Sequence, residues 1–161
     1  MKSKRGLSGL GMLAAVGAVI FSISSTVSAA PVLGGWITAN GSDGKPAYYN
    51  DWASWGQSWG AAVNYAASTK VWFMVPNLHG GAGTMRVYSG YGGANGQSTC
   101  GQAIVLTMDA AFYSATASVC TVPYRSSNPF GDMYVPSFGS IMMVYSVPPQ
   151  GFVASMSVGT L

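Results

Sequence analysis

The stretch CGQAIVLTMDAAFYSATASVC, residues 100–120, decides the fold. Two β-prone runs, Ala103 to Met108 and Phe112 to Cys120, flank Asp109-Ala110-Ala111, and a cysteine stands at each end. Branched and aromatic side chains fit the pleated, half-buried surface of a strand, and aspartate suits a turn. Cys100 and Cys120 are equidistant from Ala110, so a hairpin turning there sets them opposite each other on an antiparallel ladder, where a disulfide can close. The register has one fault. It puts Ile104 and Leu106 on the same face as Ser114, Thr116 and Ser118, and a β-bulge is the device that removes such a conflict. Closing a loop of about 20 residues stabilises by roughly 3 kcal/mol in the chain-entropy account. No Cys-x-x-Cys occurs, so the pair reads as structural rather than redox-active.

Outward from this hairpin the same pattern recurs. Strands are expected at Trp36 to Ala39, Val71 to Val75, Thr84 to Tyr88, Ile141 to Val147 and Phe152 to Val158. Turn residues separate them at Asn40 to Gly44, Asn77 to Gly83, Gly90 to Gly96, Ser126 to Gly131 and Pro148 to Gly151. Short strands divided by turn chemistry indicate an all-β chain: an antiparallel β-sandwich, jelly-roll or Ig-like, of about seven or eight strands with at most one short helix. Met85 and Val87 alternate with Thr84, Arg86 and Tyr88, the pattern of a strand with one wet face. Val71 to Val75, Ile104 to Leu106 and Ile141 to Tyr145 are apolar at every position. A two-layer sandwich covers only one face of each sheet, so these runs either lie buried on both sides or set apolar side chains against another subunit.

The N-terminus reads as a secretory signal over residues 1–29. Lys2, Lys4 and Arg5 precede an apolar segment from Met12 to Ile23, and Val27-Ser28-Ala29 supplies a cleavage site before Ala30. An uncleaved anchor is the alternative, but a dozen strongly apolar residues fall short of the about 20 that a span requires. Residues 30–161 then form a single secreted or periplasmic β-sandwich domain. The chain's net charge of +3 comes from the signal alone, because Lys45, Lys70, Arg86 and Arg125 are balanced by Asp43, Asp51, Asp109 and Asp132. Without a basic patch, nucleic acid and anionic membrane are excluded as partners. Charged residues make up 7% of the chain, against about 25% in ordinary soluble domains. Weak charge repulsion favours neutral ligands or self-association.

Catalytic readings fare poorly. Gly56-Gln57-Ser58-Trp59-Gly60 matches Gly-x-Ser-x-Gly, but a nucleophile elbow needs a strand before Ser58, a helix after it and triad partners in the order Ser, Asp, His. His79, the one histidine, precedes Asp109 and Asp132. With both cysteines paired, His79 alone cannot hold zinc. Asn40, Ser42 and Asp43 lack the acidic spacing of a calcium loop. Gly80-Gly81-Ala82-Gly83 lacks the Gly-Lys-Ser/Thr ending of a phosphate loop. Neither a metal nor a cofactor is expected.

The segment Tyr48 to Tyr65 is the most distinctive. As a helix it would align Tyr48, Trp52, Trp55 and Trp59 on one stripe, although Gly56 and Gly60 oppose this. As a strand it would align Trp59, Ala61, Val63, Tyr65 and Ala67. A short helix or loop leading into a strand reconciles the two. Indole faces can stack on the apolar faces of sugar rings, so Tyr48, Tyr49, Trp52, Trp55 and Trp59 are the candidate ligand contacts; core packing is the competing explanation. The expectation is a non-catalytic binding module for neutral glycan or another surface protein. The alternative is a self-associating homo-oligomeric subunit of a surface layer, filament or matrix, assembled by adding the strand Phe152 to Val158 to a neighbour's sheet edge. A small serine hydrolase using Ser58 is a distant third.

Overall fold

A computed structural model describes residues 36–76 and 82–161. The signal segment and His79, with most of the glycine-rich loop around it, lie outside the described residues. Twelve antiparallel strands are found among the described residues, more than the seven or eight expected. They are β1 (Trp36–Asn40), β2 (Lys45–Pro46), β3 (Trp55–Ser58), β4 (Ala61–Asn64), β5 (Lys70–Met74), β6 (Gly83–Gly92), β7 (Thr99–Leu106), β8 (Phe112–Ala115), β9 (Val119–Thr121), β10 (Arg125–Val135), β11 (Ser140–Val147) and β12 (Phe152–Thr160). Two 3₁₀ turns, η1 (Gly41–Asp43) and η2 (Tyr49–Ser54), complete the list. The strands form two sheets, a β-sandwich as expected from the sequence. Sheet A runs β10-β6-β12-β4-β3, with β1 also on β12; sheet B runs β2-β5-β11-β7-β8, with β9 also on β7.

The central hairpin forms as read. Cys100 faces Cys120 in the β7–β9 ladder and is bonded to it, with a Cα separation of 4.0 Å. The bulge is there too. The pairing slips so that Ile104 meets Ala115 and Leu106 meets Phe112, and the expected single strand breaks at residues 116–118 into β8 and β9. Thr116 bridges the break, its N–H donating to the Ala103 carbonyl at 2.9 Å.

The expected turn at Ser126 to Gly131 is instead part of β10, the longest strand. Its proline and glycine are tolerated because β10 sits at the edge of sheet A, where Pro129 has no second neighbour to supply with an N–H. The pairing with β6 slips between Pro129 and Gly131.

Phe152 to Val158 is not an edge strand, which corrects the assembly mechanism expected for it. Strand β12 pairs along one edge with β6 from Phe152 to Thr160, and along the other with β4 and then β1. Both rows of backbone groups are taken, and Val153, Met156 and Val158 are buried between the sheets.

The inner faces meet in one core around Trp72, Met74, Val87, Tyr91, Met143 and Tyr145. Its buried hydroxyls are paired. The Ser89 hydroxyl donates to the Ser155 carbonyl at 2.6 Å and accepts from the Tyr145 hydroxyl, also at 2.6 Å. Burial drives the Tyr145 phenol far above its ordinary range and pushes Tyr91 up to about 12.

The outer faces differ from one another. On sheet B the three continuous apolar runs lie on adjacent strands, so their outward halves coalesce: Val71 and Phe73, Met142 and Val144, Ile104 and Leu106 are half-buried on one surface, extended by exposed Val75 and Phe112. On sheet A the outward positions are Thr38, Asn40, Arg86, Tyr88, Ser155 and Ser157.

Candidate functional site

The chain crosses from sheet A to sheet B through η1 and β2, then returns through η2, so this segment roofs one open side of the sandwich. With three residues per turn, a 3₁₀ segment directs Trp52 and Trp55 to the same side. Both meet the buried Trp72 of β5. The ring centroid of Trp55 lies 4.3 Å from that of Trp72, and Trp52 stands edge-on to it at 5.8 Å. Trp72 is fixed in turn by its indole N–H, which donates to the Gly41 carbonyl at 3.0 Å. An ion pair of Lys70 with Asp51, 2.7 Å apart, ties η2 to the start of β5.

The five aromatic candidates therefore separate. Trp55 packs against the core, and its buried indole N–H has no hydrogen-bond partner. Trp52 keeps 41% of its surface exposed, and Tyr48 and Tyr49 are exposed beside it. Trp59 stands apart, fully exposed at the tip of the β3–β4 hairpin, in a two-residue turn with Gly60 where both have positive φ, 53° and 80°. Asparagine and glycine are the usual occupants of such a turn, and a tryptophan there is strained. Ser58 closes this hairpin opposite Ala61, and the segment after the turn is a strand. The strand–serine–helix arrangement of a nucleophile elbow is absent at Ser58.

Tyr49 and Trp52 form one wall of an open cleft of about 370 Å³ whose floor is Phe73 and Met142 of sheet B. Asp43 and Lys45 stand at its rim. The Asp43 carboxylate accepts the Asn40 N–H at 2.9 Å, which holds η1 in place. An apolar cleft with aromatic walls and few polar groups is suited to a small, uncharged ligand.

A second aromatic group, on the outer face of sheet A, is absent from the candidates named from sequence. Trp36 is 53% exposed and lies 5.5 Å from Tyr88, centroid to centroid. Beside them Arg86 makes a two-pronged pair with Asp132, at 2.7 and 2.9 Å. This pairing holds the Asp132 carboxyl below its usual range. The signal for this group was the alternation of Trp36, Thr38 and Asn40 with Ile37 and Ala39.

No protein-family model and no curated protein sequence matches the chain. The fold is similar to that of solved structures. A GH26-CBM35 β-(1,4)-mannanase from Podospora anserina matches over 80% of this chain and 28% of its own, with a TM-score of 0.53 and 8% identity. A family 35 carbohydrate binding module from Clostridium thermocellum matches over 79% of this chain and 99% of its own, at 0.47 and 10%. TmCBM61 in complex with β-1,4-galactotriose matches over 78% and 88%, at 0.47 and 11%. The chain thus spans little more than a quarter of the mannanase.

Proposed function

We propose that this chain is an exported, non-catalytic carbohydrate-binding module for neutral glycans. The observation that carries the reading is the cleft wall of Tyr49 and Trp52, held against the buried Trp72 and opening over an apolar floor. Trp52 stacks on a sugar ring, and Tyr48 and Tyr49 extend the contact along the rim. Trp55 acts from beneath by fixing Trp72. Trp59, exposed at the hairpin tip and outside the cleft lining, contacts longer chains only. The balance of four lysines and arginines against four aspartates suits an uncharged polymer. The fold similarity to a mannanase that carries a CBM35 agrees with this reading.

The test is affinity electrophoresis and calorimetry of residues 30–161 against neutral polysaccharides: mannan, galactan, xylan and mixed β-glucan. One of them is expected to bind, and Trp52→Ala to weaken it about tenfold, the worth of one aromatic stack. No retention on any polysaccharide, or full affinity in Trp52→Ala, would sink this site.

A second reading, self-association, is favoured by the apolar outer face of sheet B. Phe73 and Met142 belong both to that face and to the cleft floor, so a second copy and a glycan compete for them. Sedimentation velocity should then show concentration-dependent oligomers that a bound oligosaccharide dissociates. A monomer at every concentration rejects self-association.

A further inference from the structure

We infer that the outer face of sheet A is a second carbohydrate-binding surface, separate from the cleft, with Trp36 as its stacking platform. Strand register builds it row by row. Trp36 of β1 is opposite Gly159 of β12, Gly159 is opposite Arg86 of β6, and Arg86 is opposite Asp132 of β10. The next row runs Thr38, Ser157, Tyr88, Pro129. Side chains directly opposite one another share a face, so an indole, a guanidinium–carboxylate pair, a phenol and two hydroxyls stand together on one side of the sheet.

Gly159 gives the platform its geometry. A Cβ there would come within 2.6 Å of the Trp36 ring atoms Cδ2 and Cε2. The ring therefore lies down over the bare backbone of Gly159, one face against the sheet, and its 53% exposure belongs to the side turned to solvent. Tyr88, tilted by 39° to the indole, borders it on one side.

The chemistry around the indole selects the ligand class. The charge of Arg86 is balanced by Asp132, so the row offers hydrogen-bond donors and acceptors without net charge, which disfavours phosphate, anionic polymers and nucleic acid. The paired hydroxyls of Thr38 and Ser157, 2.9 Å apart, and exposed Asn40 make the surroundings polar, which disfavours lipid and apolar peptide. A flat ring framed by neutral hydrogen-bonding groups matches a polyol with one apolar face, a neutral sugar ring. The inference rests on the reading of the chain as a glycan binder but is independent of the cleft, whose floor is on the other sheet.

The experiment uses residues 30–161 and three variants, Trp36→Ala, Gly159→Ala and Trp52→Ala, titrated with oligosaccharides of whichever neutral polysaccharide is retained, and with thermal unfolding as the check on folding. Trp36→Ala is expected to weaken binding about tenfold. Gly159→Ala, which keeps the indole but lifts it from the sheet, should produce a comparable loss; full affinity in this variant overturns the flat-platform geometry. Losses in both Trp36→Ala and Trp52→Ala, with a stoichiometry of two, establish two sites. Loss in Trp36→Ala alone keeps this surface and removes the cleft. Loss in Trp52→Ala alone keeps the cleft and overturns this inference. Absence of any binding in the wild-type chain overturns both. Should Gly159→Ala fail to fold, Tyr88→Ala replaces it, with a smaller loss of about threefold expected.

Discussion

Replacing both Cys100 and Cys120 with serine isolates the effect of the cross-link. Both residues lie on the outward side of sheet B, Cys100 half-buried and Cys120 exposed, so serine leaves no cavity in the core. The cost is then set by the loop the bond closes, 20 residues of separation. Loop closure of that length removes about 3 kcal/mol worth of denatured-state freedom. A domain of this size has a stability of about 6 to 18 kcal/mol at 0.05 to 0.15 kcal/mol per residue, so the variant remains folded at 25 °C. For about 120 residues the unfolding entropy is about 0.25 kcal/mol per degree, and the loss converts to a fall in Tm of about 12 °C. Thermal unfolding followed by circular dichroism, together with urea titration, measures both quantities. The urea slope should rise as well, because the denatured chain without the bond exposes more surface. A loss below about 1 kcal/mol with an unchanged slope would refute the argument, since it would mean that the hairpin stays closed in the denatured state without the bond.

Trp59→Asn should stabilise the fold by about 0.5 to 1 kcal/mol, because asparagine accepts the positive φ that tryptophan resists; a lower urea midpoint would argue against the turn as described. Above about pH 10 the unfolded state loses its tyrosine protons while Tyr145 and Tyr91 keep theirs in the fold. Stability is therefore fully present below that pH and falls above it, by about 1.4 kcal/mol per pH unit for each such tyrosine. Unfolding free energies between about pH 9 and about pH 11 test the slope, and a flat profile contradicts the burial. Deleting residues 152–161 removes the buried side chains of Val153, Met156 and Val158, about 5 to 9 kcal/mol of burial, and should abolish cooperative unfolding in far-ultraviolet circular dichroism; a truncated chain that still folded would show that β12 is dispensable.

Local chemistry made the strands legible wherever it agreed with the ladder. The Cys100–Cys120 hairpin could be read because the turn, the cysteines and the apolar alternation all gave one register, and even its fault pointed to the bulge that the structure contains. Strand β10 was hidden because Pro129 and Gly131 carry turn signals, and only its place at a sheet edge, a tertiary fact, makes them acceptable. The same limit applied to β12. Its composition does not distinguish an edge from a centre, and its burial depends on β1, which lies at the opposite end of the described chain. Of the candidate contacts, Trp52 and Trp55, three apart in sequence, both meet Trp72. Trp59 was drawn into the same stripe because a helical period was applied across a hairpin turn. Trp36 was overlooked because it stands alone in sequence, and the glycine that lays it flat is more than a hundred residues away.

The position of β12 also bears on how the sheet can form. It holds sheet A together, pairing Trp36 with Gly159 at one end and Val63 with Phe152 at the other. Without it, β1, β4 and β6 have no common partner. Trp36 and Gly159 are more than a hundred residues apart, so sheet A closes through contacts of long sequence separation. Pairing of that kind forms slowly and leaves strand edges open in the meantime, which is where the risk of aggregation lies.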